Sequence, residues 1–151
     1  KTYAMTGWRL GWSYWPEECI EHIVKLLINS VSCVNVPTQY AGIAALDGSD
    51  ESIISMMKEF TERRNLIHKL LNELPGVECS LPGGAFYAFP KVKNTGMTGA
   101  EFAKKCMYEA GVAIVPGTAF GSTAQDYVRF SFVASQNDIS QALENIKNML
   151  N

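Results

Sequence analysis

The stretch Lys1-Thr-Tyr-Ala-Met-Thr-Gly-Trp-Arg-Leu-Gly11 decides how the rest of this chain is read. Lys1 opens it, Arg9 nearly closes it, and small or apolar residues stand between them. A lysine loses its charge when desolvated and can then condense with a carbonyl as a Schiff base. An arginine keeps its charge and offers a planar fork of donors to a phosphate. Together they suit a cofactor with an aldehyde at one end and a phosphate at the other, for which pyridoxal phosphate is the candidate. Taken alone, the pair also fits a terminal remnant beside a surface charge. The pattern around it is more specific.

Immediately downstream, Trp8 to Trp15 is rich in aromatic residues that favour pleated surfaces, which predicts a strand. Pro16 opens a helix whose Glu17 and Glu18 complement the helix dipole and whose Ile20, Ile23, Val24 and Leu27 form one apolar stripe. Ser30 to Val36 reads as a loop. Pro37 starts a second helix, in which Tyr40, Ala41, Ala44 and Ala45 suggest close packing, and Asp47-Gly48 stops it. Ser49-Asp50-Glu51 caps the longest helix. Its stripe runs through Ile53, Met57, Phe60, Ile67, Leu71 and Leu74, with Arg64 the polar member, until Pro75-Gly76. Such a helix reaches on the order of 35 Å, enough to bridge two lobes.

Beyond it the elements are shorter. Val77-Glu-Cys79 predicts a strand, and Pro82-Gly-Gly84 a turn into the strand Ala85 to Phe89. Lys91 to Gly96 is a loop. Thr98 and Glu101 make a capping box for a helix with Phe102 and Cys106 inward, closed by Gly111. Val112 to Val115 predicts a buried strand by its continuous apolar character. Pro116 to Gly121 is a loop, Tyr127 to Val133 a strand, and Asp138 the cap of a final helix carrying Ile139, Leu143, Ile146 and Leu150 on one face. From residue 77 strands and helices alternate, which argues for an α/β lobe with helices on one face of its sheet.

Bulk properties narrow the function. The chain has 151 residues, 47% of them hydrophobic, enough for a real core. Net charge is −2 with the signs interspersed, so neither nucleic acid nor a membrane surface is an expected partner. Cys19, Cys33, Cys79 and Cys106 are spread without CxxC or a histidine at ligand spacing, so no metal site is expected. Reduced thiols point to a cytoplasmic protein. His22 and His68 fall in helical patterns beside charged residues and read as solvated.

Lys1, Ala4, Met5, Gly7, Arg9, Leu10 and Gly11 all fall in the places of one family pattern. The stretch resembles the pyridoxal-phosphate attachment segment of class I aminotransferases. Further on, Pro82 to Phe89 resembles that family's glycine turn and aromatic strand. Val115-Pro-Gly-Thr-Ala-Phe-Gly121 followed by Tyr127-Val-Arg-Phe-Ser131 resembles its substrate-side loop and closing strand. In order and spacing, essentially all 151 residues are similar to the C-terminal part of a fold-type I, aspartate aminotransferase-like enzyme.

The resemblance implies an α/β fold with an α+β small domain, its helices packed on a small mixed sheet. Residues 1–48 would be the remnant of the large cofactor-binding domain. Residues 49–151 would be the C-terminal small domain, with a long inter-domain helix at its start. Lys1 becomes the catalytic Schiff-base lysine, Arg9 the cofactor-phosphate ligand, and Arg129 the ligand of the substrate α-carboxylate. Physically, a strand arginine among Val128, Phe130 and Phe132 needs an anionic partner, unless it snorkels to solvent or pairs with a structural acid. Gly117, Phe120 and Gly121 are expected to shape the mouth of the site.

The implied activity moves an amino group between an α-amino acid, aspartate or another common one, and a 2-oxo acid, in a homodimer. Between Leu26 and Leu46 there is no arginine or lysine, so the loop arginine that reads a distal carboxylate in some relatives has no counterpart. The family's groups upstream of the lysine are also absent, so the chain reads as a fragment, inactive by itself. Rival readings are a lyase or synthase of the same fold, a non-catalytic domain, and an interaction module built on Pro37–Leu46.

Overall fold

Local capping chemistry sets the helix boundaries throughout the 151 residues described by the computed structural model. Helix α1 (Glu17–Ser30) begins after the extended Pro16, with Glu17 and Glu18 in its first turn. Helix α2 (Val36–Asp47) is capped by Asn35, whose side chain accepts from the Thr38 N–H at 3.0 Å. Helix α3 (Glu51–Asn72) is the longest; the Ser49 hydroxyl accepts from the Glu51 N–H at 3.2 Å. Helix α4 (Gly99–Lys105) carries the expected capping box between Thr98 and Glu101. It continues as one π-turn to Ala110 and ends at Gly111, whose φ of 68° suits glycine.

The cap of helix α5 (Gln136–Leu150) is Ser135 rather than Asp138. Ser135 has the extended backbone a cap requires and accepts from the Asp138 N–H at 3.1 Å, while its hydroxyl donates to the Asp138 carboxylate at 2.7 Å.

The strands depart more from expectation, because their existence depends on partners. They are β1 (Tyr87–Ala88), β2 (Val115–Pro116) and β3 (Val128–Ser131), in the order β1-β3-β2. Both pairs are antiparallel, with Tyr87 opposite Ser131 and Val115 opposite Arg129, so the sheet is antiparallel where a mixed one was expected. Val77-Glu-Cys79 supplies only an isolated bridge, Glu78 to Lys91. Val112 to Ile114 is not a strand, and pairing begins only at Val115. Trp8 to Trp15 is no strand either. Thr6–Trp8 is a 3-10 turn, the rest is irregular, and Trp12 and Tyr14 are 84% and 92% exposed. Aromatic preference for strands is a preference for a half-buried pleated surface, and no strand pairs with this segment.

Residue contacts divide the chain into Lys1–Ile54 and Ser55–Asn151. The second unit holds the hydrophobic core, in which Ile67, Leu71, Phe102, Phe132 and Ile146 are fully buried between α3, α4, α5 and the sheet. Phe102 and Cys106 point inward as the helical pattern requires. In the first unit only Thr38 and Gly42 are buried. No helix is long and apolar enough to cross a membrane.

Candidate functional site

In the first unit, the segment preceding α1 is folded on itself by short hydrogen bonds. The Ala4 N–H donates to the Lys1 carbonyl at 3.0 Å, and the Trp8 N–H to the Met5 carbonyl at 3.1 Å. Arg9 Nη1 donates to the Thr6 carbonyl at 3.1 Å. Ala4 and Arg9 both take left-handed backbone, with φ of 52° and 56°. Non-glycine residues are uncommon there, and such positions concentrate at functional sites.

Leu10 anchors the segment against α2. A Cβ added to Gly42 would lie 2.6 Å from Leu10 Cδ2, so the glycine lets the end of that side chain rest against α2 where it stands. The same region holds a cleft of about 600 Å³ whose walls include Lys1, Tyr3, Thr6, Arg9, Trp12 and Leu46. Its volume lies within the usual range for small-ligand sites, about 300–1,000 Å³. The two residues expected to hold an aldehyde and a phosphate thus line one cleft. An amine for the aldehyde and a guanidinium for the phosphate make a donor set that fits pyridoxal phosphate.

In the second unit, Arg129 occupies the middle strand β3, with β1 and β2 on either side. It is half-buried. None of the ion pairs of the chain includes it, so the alternative of a structural acid is not realised. Aromatic rings neighbour it instead. The guanidinium carbon lies over the Tyr87 ring, 4.3 Å from its centroid, and over the Phe120 ring, 4.5 Å from its centroid.

Phe120 reaches this place because the chain turns tightly after β2. The Gly117 N–H donates to the Tyr127 carbonyl at 2.7 Å, and a Cβ on Gly117 would collide with the carbonyl oxygens of Ala124 and Tyr127. The 3-10 turn Gly117–Phe120 follows directly. The Phe120 ring thereby lies against the Arg129 guanidinium. Tyr87 was not singled out from sequence. Tyr87 lies opposite Ser131, and so on the same sheet face as Arg129, through a register that only the structure shows.

The model of the family described as aminotransferase class I and II matches residues 1–146. The chain belongs to this family. Aminotransferases of known name resemble it along nearly its whole length. The aspartate aminotransferase of Pyrococcus abyssi is 41% identical over 99% of this chain and 39% of its own length. The solved aromatic aminotransferase of Pyrococcus horikoshii superposes with a TM-score of 0.91 at 39% identity, covering 99% of this chain and 40% of that one. The aspartate aminotransferase of Thermus thermophilus, solved with maleate, gives 0.88 at 30% identity, over 99% of this chain and 39% of that one. The chain therefore spans about two fifths of the length of the aminotransferases it matches. Its fold is that of the α/β C-terminal part of fold-type I aminotransferases.

Proposed function

We propose that this chain is part of a pyridoxal-phosphate-dependent aminotransferase exchanging an amino group between an α-amino acid and a 2-oxo acid. The observation that carries the proposal is that Lys1 and Arg9 line a single cleft of suitable size. Bound there, pyridoxal phosphate would supply an electron sink for the substrate carbanion. Lys1 Nζ would hold the cofactor at its aldehyde end and would move the proton at the substrate Cα. Arg9 holds the phosphate. Arg129 receives the substrate α-carboxylate through two parallel N–H···O bonds, which fixes the bond at Cα that is to break.

In this reading residues 1–48 belong to the large cofactor-binding domain and residues 49–151 to the small domain of a longer, homodimeric, cytoplasmic protein. Free cysteines accord with a reducing compartment. The substrate is aspartate or another common amino acid. The absence of arginine and lysine between Leu26 and Leu46 means that a dicarboxylate needs a cation from elsewhere.

The decisive experiment is Lys1→Ala in the full-length protein. Turnover should fall by at least ~10² to 10⁴-fold, from the acid–base role alone, with loss of the visible absorption of bound cofactor. Near-normal transamination by that variant would overturn the proposal. Arg9→Ala should weaken cofactor binding by ~1.5–3 kcal/mol, the usual worth of a charge-assisted bond, with amino-acid affinity less affected.

A further inference from the structure

We infer that Tyr87 and Phe120 act as positioning residues, an aromatic clamp that aims the Arg129 guanidinium at a carboxylate; this rests on the reading of Arg129 as the α-carboxylate ligand. The geometry is specific. The guanidinium carbon stands 4.3 Å and 4.5 Å from the centroids of the two rings, over their faces. Rings stacked on a guanidinium meet its π face and consume none of its N–H donors. The donor edge remains for an oxyanion. Since no protein carboxylate pairs with Arg129, the rings take the place that a structural acid would otherwise fill. An acid would hold the arginine by occupying the fork. The rings hold it with the fork open.

Each ring is itself fixed. Tyr87 is placed by the β1–β3 register on the face that carries Arg129. Phe120 is placed by the turn from Gly117 and backed by Phe89, whose ring meets it edge-on at 5.9 Å. Phe89 in turn stacks on Tyr127 at 5.4 Å, with 8° between the planes. Phe120 is half exposed and lies outside the buried core, so its contact with the cation, rather than burial, distinguishes its position. Two-point recognition of a carboxylate requires a fixed guanidinium plane, and small rotations forfeit one of the two bonds. A cation held against rings is also less hydrated, which strengthens its pull on an anion.

The test uses the full-length enzyme loaded with cofactor and measures single-turnover rates on two substrates. One is an α-amino acid that the enzyme accepts; the other is the primary amine of the same side chain, lacking the carboxylate. The readout is the ratio of the two kcat/KM values, which a general loss of folding does not move. Phe120→Leu should lower this ratio about 3- to 30-fold, the range expected of a partly desolvated cation–ring contact. Tyr87→Leu should act in the same direction. Phe120→Tyr and Tyr87→Phe, which keep the rings, should restore the ratio. Arg129→Lys should collapse it. If Phe120→Leu leaves the ratio unchanged while Arg129→Lys collapses it, the clamp is refuted and the role of Arg129 survives. If Phe120→Leu slows both substrates equally, the ring is merely structural and the inference also fails. If Arg129→Lys leaves the ratio intact, the carboxylate reading of Arg129 falls, and the clamp with it.

Discussion

Helices α1 and α5 carry the same kind of apolar stripe and meet different fates. In α5, Ile139, Leu143 and Ile146 are buried in the core of the second unit. In α1, Ile20, Val24 and Leu27 remain 49%, 46% and 47% exposed, and the helix buries no residue. Both helices have acidic first turns, and both end near a residue that bonds back into the last turn. What differs is the surface opposite. α5 packs against the π-turn that extends α4 and joins the core of its unit; the stripe of α1 meets no core within its unit. A capped amphipathic helix therefore reports a direction of burial, while burial itself depends on what the rest of the protein brings. This accords with a chain spanning about two fifths of the length of its relatives.

The contrast can be broken by thiol chemistry, where the largest effect is expected. Cys33 of the first unit is exposed, whereas Cys106 is fully buried and burial pushes its thiol pKa up to about 12. In the 151-residue chain at neutral pH, Cys33 should react with a thiol reagent at the rate of a free peptide. Cys106 should react about 10³-fold slower or more, because it must await unfolding of a core worth at least ~5 kcal/mol. Comparable labelling of both, read by mass spectrometry of the two peptides, would mean that the second unit does not hold together in this chain.

A pair of truncations sharpens the same contrast. Phe102→Ala should destabilise the chain by ~3–5 kcal/mol, the cost of a large cavity in a core. Leu27→Ala deletes side-chain volume from the exposed stripe and should stay within ~0.5 kcal/mol. Denaturant midpoints measure both. A large effect of Leu27→Ala would place its stripe against a surface within this chain.

The smallest effect concerns local capping. Thr98→Ala removes the hydroxyl that caps α4 and should cost ~1 kcal/mol. The Thr98 N–H, and then its hydroxyl, hold the Glu101 carboxyl below its ordinary pKa. A depressed carboxyl pKa contributes stability that is present above the unfolded value and lost as pH falls through the folded one. The wild-type chain should thus lose a small increment of stability on acidification below the ordinary carboxylate value, and Glu101→Gln should flatten that slope. Parallel acid slopes for the two proteins would remove Glu101 from the cap in solution.

Much of this was legible in the residues themselves. Thr98 and Gly111 act within a turn of their own position, so their helix ends follow from local hydrogen bonding and backbone freedom. The stripe of α5 and the inward placement of Phe102 and Cys106 follow from helical period alone. The order of Lys1, Gly7, Arg9 and Gly11 carried the family. The strands were legible only in outline, because pairing is made with residues far along the chain. Val112 to Ile114 looks as strand-like as Val128 to Phe130, yet only the latter lies between two partners. Trp8 to Trp15 has the composition of a strand and nothing to pair with.

Sequence by itself determined the helices, the family, and the chemical types of the residues offered for cofactor and substrate. Tertiary structure alone decided that Leu10 lies against Gly42 of α2 and that Lys1 and Arg9 line one cleft. It alone decided that Tyr87 and Phe120 lie against the Arg129 guanidinium. The physical reason is range. Caps, helical period and backbone freedom act across a few residues, and a sequence displays them directly. A ring against a cation, or a methyl in a glycine notch, is a contact between segments, and it exists only once the backbone has brought them within a few ångströms.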